Sequence, residues 1–523
     1  MKITQFIYKN PMDNIELSLF SSRISAICDE MGAVLQRVAF SPNIKDRLDF
    51  SCAVFSARGH LCAQAAHIPV HLGSMAYAMV DIVATIDWQP GDMVMLNDPY
   101  LGGTHLPDVT VIAPVFIGDN LAGFVANRAH HADIGAESPG SMPVSSSLLE
   151  EGVVIAPTKL MSDGELIAPV MASVLDKLKN ADESMGDFGA QISANRRGLE
   201  RLSALIELLG LDQYLQALTL LNQYAAKISH TALQNIPDGR YLYTDFMDDD
   251  GQGQQNIAIR LALTVDNGKI MADFAGTDQQ VKGNINCPLS VVAAAVFYVF
   301  RCLMPAQTPA CAGAFESIEL SAPTGCLLNA QYPAAVAAGN VETSTRIVDV
   351  VMGALGQAIP SLIPAASHGS MNNLAMGFAG NAEQAAWNYY ETIGGGMGAG
   401  EYSSGLSAVQ THMTNTLNTP IEVLEMRYPL RVRRYQIRKG SGGEGQHRGG
   451  DGIIREYEFL QAAQFTLLTE RRRLQPWGIN AGGGKKGENY LNNKLLPAKV
   501  NQTVKMGDVL QINTPGGGGW SPL

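Results

Sequence analysis

The segment that most constrains this chain runs from Asn97 to Asp133 and reads NDPYLGGTHLPDVTVIAPVFIGDNLAGFVANRAHHAD. It sets three of the chain's ten histidines beside Asp98, Asp108 and Asp133. Val109 to Ile117 is β-branched and apolar, which predicts a strand. Gly118, Asp119 and Asn120 are turn residues, and LAGFVANRAHH runs back as a second strand ending on His130 and His131. A three-residue loop sets Ile117 against Leu121, and counting outward sets Asp108 against His130. Opposed Cβ atoms in a hairpin lie roughly 4.5–5.5 Å apart, close enough for two side chains to share one ion. His105 can curl over the same point. Two imidazoles and a carboxylate then form a donor set suited to Zn, Mn or Fe. The register decides the set: a two-residue turn shifts every pair by one and brings in Ala129 or His131 instead. The competing reading is ordinary hydrogen bonding at a strand end. Against it, His105, Asp108, His130, His131 and Asp133 converge on one hairpin mouth, with Asp98 in the Gly-Gly turn beside it. A metal or acid–base site is the expectation.

At 523 residues the chain exceeds one ordinary domain, and on the order of two to four are expected. An apolar fraction of 46% against a charged fraction of 16% suits a large, well-buried enzyme. The net charge of −12, with no long basic run, argues against nucleic acid or an anionic membrane as partner. Seven cysteines form no CxxC pair and read as reduced thiols. MKITQFIYKN does not read as a signal peptide, and the longest apolar run, Leu289 to Phe300, is too short to span a bilayer. A cytoplasmic protein is expected.

Along the chain, Asp13 with Glu16 resembles a capping box for a helix to about Phe40, its apolar face formed by Ile15, Leu19, Ile27, Met31, Val34 and Val38. Phe188 to Leu233 is helical with a break near Gly210. Tyr241 to Phe274 alternates like antiparallel strands, turning at Asp266-Asn267-Gly268. Pro288–Leu303 and Asn340–Gly356 read as helices, and past Tyr428 the chain turns β-rich. The fold class expected is α+β: several domains, mixed helices, largely antiparallel sheets and a β-rich carboxyl-terminal region. Boundaries near 185, 240 and 425 divide the chain into a metal-site domain (1–185), a helical segment (186–240), a central α/β domain (241–425) and a Gly-rich β domain (426–523).

Other motifs carry less. Ala481-Gly-Gly-Gly-Lys-Lys lacks the first Gly and the final Ser/Thr of a phosphate loop. Gly440, Gly442 and Gly445 fit GxGxxG, but HRGGDG follows where a dinucleotide site needs a helix. No ATP site is assigned. Cys287, followed by Pro288 and an apolar helix, reads as a structural thiol. ETIGGGMGAG (391–400) is equally an anion cradle of backbone N–H groups or a tight connection. HMTNTLNTPIEVLE (412–425) is a polar network or a substrate-facing wall. Arg431, Arg433, Arg434 and Arg438 form a solvated face or an interface with an acidic partner.

NDPYLGGTHLPDV, HHADIG, GDFGAQISANRRG, GNINCP, GNVETSTR, ETIGGGMGAG, HMTNTLNTPIEVLE, SGGEGQHRGGDG and TPGGGGW follow one another in that order, in a pattern that covers the chain from about residue 10 to its end. In this ordered set the chain resembles the hydantoinase B/5-oxoprolinase family, which includes the large subunits of acetone and acetophenone carboxylases. The resemblance implies a separate hydantoinase A-like subunit that binds ATP and phosphorylates the substrate, so ATP enters only through that partner. It implies a hydrolase that opens the C–N bond of a lactam or hydantoin, with ketone carboxylation as the runner-up and a non-catalytic scaffold as the third reading. It also implies a hetero-oligomer with a dimeric core. By the same resemblance the metal, Mn by preference, sits at His105, Asp108 and His130, with a further carboxylate from Asp46 or, second, Asp49. His131 or Asp133 would serve as general base, with Asp98 as a further catalytic carboxylate.

Overall fold

The computed structural model describes residues 12–66, 68–381 and 384–522; the MKITQFIYKN segment lies outside them. Helix α1 (Asn14–Val38) begins at the capping box: the Asp13 carboxylate accepts from the Ile15 and Glu16 N–H groups, and the Glu16 carboxylate accepts from Asp13 N–H. Its buried stripe is Phe20, Ile24, Ile27, Cys28, Met31 and Leu35. Of the expected apolar face, Ile27 and Met31 are in that stripe, whereas Ile15, Leu19 and Val38 are exposed. The stripe follows the 3.6-residue period from Phe20 on, and the expected face was centred too far round the helix.

The remaining helices are α2 (Pro42–Lys45), α3 (Pro69–Ala84), α4 (Ala168–Leu175), α5 (Ala181–Leu209), α6 (Leu211–Leu233), α7 (Leu289–Leu303), α8 (Ser344–Leu355) and α9 (Ile421–Arg427). The chain bends by 103° between α5 and α6, where Gly210 takes a left-handed φ of +84°. Among the described residues no single helix is long and apolar enough to cross a membrane.

The first sheet holds β1 (Phe50–Ser56), β2 (Leu61–Ala66), β3 (Met93–Leu96), β4 (Asp108–Ile117), β5 (Asn120–His130), β6 (Thr158–Ser162) and β7 (Glu165–Leu166), in the order β2-β1-β5-β4-β3-β6-β7. Both its faces are covered. Val109, Val111, Ala113 and Val125 point into the main core with α1 and α5, while Ile112, Phe124 and Ala126 point to the other side with Met75, Met79 and Ile82 of α3. Strict alternation on β4 and β5 thus separates an α5 face from an α3 face.

The second sheet is β11-β10-β9-β8, from β8 (Gly239–Asp249), β9 (Gln255–Asp266), β10 (Lys269–Asp273) and β11 (Ile318–Ser321). The carboxyl-terminal half adds β12 (Asn373–Phe378), β13 (Trp387–Glu391), β14 (Leu430–Arg438), β15 (Gly452–Phe459), β16 (Ala463–Leu468), β17 (Glu488–Leu491), β18 (Lys494–Leu495), β19 (Lys499–Val504) and β20 (Val509–Asn513). These form the sheets β13-β12-β16-β19 and β14-β15-β20-β17-β18, so the first of the two draws strands from both sides of residue 425. Helices (31%) and strands (27%) are nearly balanced and lie in several mostly antiparallel, open sheets, an α+β architecture.

The Arg-bearing strand β14 meets acidic partners within the chain: Arg431 pairs with Glu458 (3.5 Å), Arg433 and Arg434 with Glu456 (3.7 and 3.8 Å) and Arg438 with Glu488 (2.8 Å). The Gly-rich segments pack backbone on backbone. A Cβ on Gly396 would lie 1.9 Å from the Gly450 carbonyl oxygen and 2.3 Å from Gly517 N, whereas one on Gly400 would meet nothing within 4 Å. The run 391–400 is therefore a tight connection at Gly396. Gly396→Ala is expected to destabilise the fold by on the order of 3 kcal/mol, and Gly400→Ala to leave the denaturant midpoint nearly unchanged. Equal midpoints for the two variants would refute this packing.

Candidate metal centre

The β4–β5 hairpin sets Asp108 opposite His130. It gets there by another route than a three-residue loop. Ile117 pairs with Asn120 across the two-residue turn Gly118-Asp119, and Phe116 pairs with Leu121. A β-bulge then leaves Ala122 unpaired, and Val115 meets Gly123. The turn shifts the register by one and the bulge shifts it back.

Asp108 gathers a polar cluster from distant parts of the chain. His130 Nδ1 lies 3.1 Å and His105 Nε2 3.0 Å from Asp108 Oδ1, and His71 Nε2, from α3, lies 3.3 Å from Oδ2. The Thr104 hydroxyl (2.7 Å) and the Asn340 amide N–H (3.1 Å) donate to the same Oδ2. His71 Nδ1 faces the Ser51 hydroxyl at 3.2 Å. One ligand atom each from His105, Asp108 and His130 fall within 4.8 Å of one another, and all three residues are buried. They line a cavity of about 20 Å³ shared with Asp49, Asn340, Tyr390, Thr392, Thr414 and Thr416. That is room for one ion or one water.

The electrostatics follow from this gathering. Burial acts to raise the Asp108 carboxyl, but the His105 and His71 imidazoles hold it well below the usual carboxylate range. Burial acts to lower His105, and Asp108 outweighs it, so that imidazole is raised. At His130 burial prevails and the pKa is lowered. The Nε2 atoms of His105 and His130 are both buried without a hydrogen-bond partner, His105 Nε2 having only its 3.0 Å ion-pair approach to Asp108 Oδ1. Two unused imidazole nitrogens beside an ionised carboxylate fit a divalent cation, so the residues present suit a metal.

A second arm supports His130. The Tyr390 ring stacks on its imidazole, centroids 4.9 Å apart and planes 10° off parallel. The Tyr390 hydroxyl donates to Asn373 Oδ1 (2.7 Å), and Asn373 Nδ2 donates to the buried Glu342 carboxylate (2.7 Å). Arg47 Nη1 donates to the Tyr390 carbonyl at 3.1 Å.

Of the residues singled out in the sequence, His105, Asp108 and His130 are brought together. Asp49 joins them at the cavity, whereas Asp46 caps the half-exposed end of α2 and does not line it. His131 faces the other side of the sheet: its Nε2 meets Gln191 Oε1 of α5 at 2.9 Å and its ring lies against Phe188. Asp133 is taken up by backbone, accepting from Gly135 N–H (2.9 Å), Lys179 N–H (2.6 Å) and Asn180 N–H (2.8 Å). Asp98 caps the short turn Pro99–Leu101 through Tyr100 N–H. None of these three lines the cavity. Sequence reasoning passed over His71, and it read Asn340 only as the start of a helix. The signal for His71 was its place on a helix that must cover the Asp108 face.

A family model described as hydantoinase B/oxoprolinase matches residues 13–522. The 5-oxoprolinase of Dictyostelium discoideum is 39% identical over 97% of this chain, which spans 40% of that relative's length. A Pseudomonas protein, named as the B-type component of a putative D-/L-hydantoinase, is 32% identical over 98% of this chain and 90% of its own. Among solved structures, the ATP-dependent caprolactamase from Pseudomonas jessenii superposes with a TM-score of 0.91 at 25% identity, covering 98% of this chain and 92% of that one.

The separation of the two sheet faces yields a test. His131→Ala is expected to lower stability by roughly 1–3 kcal/mol, because Gln191 loses a buried partner, while divalent metal content stays at the wild-type level. Loss of metal from this variant, measured by elemental analysis, would place His131 rather than His130 at the cavity.

Proposed function

Because this chain belongs to the hydantoinase B/oxoprolinase family, we propose that it is the B-type component of an ATP-dependent cyclic amidohydrolase. It opens the C–N bond of a lactam or hydantoin after a hydantoinase A-like partner has spent ATP on activating the ring. The observation that carries this reading is the buried Asp108 cluster with two unpaired imidazole nitrogens at one small cavity. Names in the family support the rest: a relative is named as the B-type component of a hydantoinase, and the structural neighbour is an ATP-dependent caprolactamase. All seven cysteines are free thiols, which supports a cytoplasmic setting.

His105, Asp108 and His130 would hold the ion, Mn by family preference with Zn and Fe as alternatives, and Asp49 is the nearer candidate for a further carboxylate. When bound, a divalent ion would polarise a substrate carbonyl and acidify water. The chain's own residues prepare for this. Thr104 and Asn340 donate to one carboxylate oxygen of Asp108 and orient the other toward His105 and His130. His71, with Nε2 3.3 Å from Asp108 Oδ2 and Nδ1 3.2 Å from the Ser51 hydroxyl, braces the carboxylate at the cavity wall, a wall that His131 and Asp133 do not line. Thr392, Thr414 and Thr416 supply hydroxyls on the facing wall.

Purified protein is expected to carry about one divalent ion per chain, and His105→Ala and His130→Ala to lose most of it. Full occupancy in either variant would sink the assignment. Co-expressed with its A-type partner, the chain is expected to open oxoproline, a hydantoin or a larger lactam only with ATP, and alone to open none. ATP-independent ring opening by the chain alone would overturn the two-component account. A requirement for bicarbonate with a ketone substrate would turn the assignment to a carboxylase, and a metal-free protein would leave the scaffold reading.

A further inference from the structure

Glu151 is fully buried, follows the short turn Leu148–Glu150 and does not line the metal cavity. One of its carboxylate oxygens, Oε1, accepts three hydrogen bonds: from the Ser145 hydroxyl (2.7 Å), Val336 N–H (2.9 Å) and Ala337 N–H (3.0 Å). The carbonyl of that same Ala337 lies 3.2 Å from His105 Nδ1. A carbonyl can only accept, so Nδ1 carries a proton, and in the neutral imidazole the lone pair is on Nε2, the nitrogen facing Asp108. Residues 334–337 belong to no helix or strand, so no regular hydrogen-bond ladder fixes the direction of this carbonyl. Ala338 N–H, in the same peptide as that carbonyl, donates to the Asn284 carbonyl (2.9 Å), and the Glu151 grip fixes the two peptides immediately before it.

Resting on the metal reading above, we propose that Glu151 is a positioning residue for the metal ligand His105: it holds the Val336–Ala337 peptide, and through the Ala337 carbonyl it sets the tautomer and aim of the imidazole. Its part is geometric. What matters is an acceptor oxygen at the right reach, more than a negative charge. A simple loop anchor, the rival account, would support folding and leave metal affinity alone.

Two substitutions separate reach from charge. Glu151→Gln keeps the acceptor oxygen at the same distance and removes the charge. Glu151→Asp keeps the charge and withdraws the acceptor by one methylene. The full-length protein, stripped of metal with a chelator, would be titrated with Mn²⁺ alone in a calorimeter, with melting of each metal-free variant as the folding control. Glu151→Asp is expected to bind Mn²⁺ about 10–100-fold more weakly, the usual cost of losing support behind a ligand. Glu151→Gln is expected to stay within about threefold of wild type, since its amide oxygen still accepts from both N–H groups. Wild-type affinity in the Asp variant would overturn the proposal, as would loss in the Gln variant equal to or larger than in the Asp variant. Absence of Mn²⁺ binding by the wild-type protein would overturn the metal reading and this proposal together. Wild-type binding with two unaffected variants would overturn only this one.

Discussion

An ionised carboxylate buried in the middle of a 523-residue chain is the constraint around which the site is arranged. Moving such a group out of water costs several kcal/mol even after relaxation, and it persists only where partners and hydrogen bonds offset the loss. Asp108 is surrounded accordingly, with three imidazoles, a hydroxyl and an amide within hydrogen-bonding range of its two oxygens. The five groups come from four places: His71 from α3, Thr104 and His105 from the loop before β4, His130 from the end of β5 and Asn340 from the short helical segment leading into α8. Holding them together requires the first sheet, the helices on its α3 face and the carboxyl-terminal sheet that supplies Tyr390 to be docked on one another. The site is therefore a product of the global fold, although its centre is a single hairpin.

The two faces of that hairpin do different work. Thr110 and Arg128 share the α3 face with Asp108 and His130, and Arg128 ties Thr110 to Ser74 of α3 with bonds of 2.8 Å each. On the α5 face, Asn127 and His131 bond to α5, and Gln191 of α5 donates to the Val109 carbonyl. Adjacent histidines at the end of one strand are thus assigned opposite tasks by the pleat alone: His130 lines the cavity, and His131 staples the sheet to α5. Asp133 belongs with the second task, since its carboxylate caps the backbone that leads into α5.

Much of this was legible in the sequence because it is local. The capping box at Asp13, the break at Gly210, the strand Leu430–Arg438 and the apolar helix Leu289–Leu303 are short-range patterns, and the structure repeats them. The pairing of Asp108 with His130 was legible too, but through two compensating features, a tighter turn and a bulge at Ala122, that no period-2 count distinguishes from one three-residue loop. What escaped was long-range. Asn340 is 232 residues from the carboxylate it touches and His71 is 37. Neither spacing matches a local motif, and both depend on which helix or turn the fold lays over the Asp108 face. Asp49 against Asp46 is the same difficulty at close range: the short helix α2 and the turn after it decide which of two nearby carboxylates reaches the cavity.

A cluster of histidines around an aspartate also forms in proteins for structural reasons, and the place of the unpaired nitrogens distinguishes the cases. His131 shows what a structural histidine does here: its Nε2 meets Gln191, its ring is packed on Phe188, and its unpaired Nδ1 lies away from the Asp108 cavity. His105 and His130 differ in that their unpaired nitrogens belong to the lining of one cavity beside Asp108. Each commits one nitrogen, His105 to the Ala337 carbonyl and His130 to Asp108, and each keeps Nε2 buried without a partner. Leaving a buried polar atom unpaired costs about 1–3 kcal/mol, and a stable fold rarely retains two such atoms in one small cavity for nothing. The remaining nitrogens face a space of about 20 Å³ next to a carboxylate that its neighbours keep ionised. A cation shared by these groups satisfies both nitrogens and lowers the cost of the buried carboxylate in one step. A bound water can donate to both nitrogens but adds no positive charge to offset Asp108, so the charge balance of the cavity favours an ion.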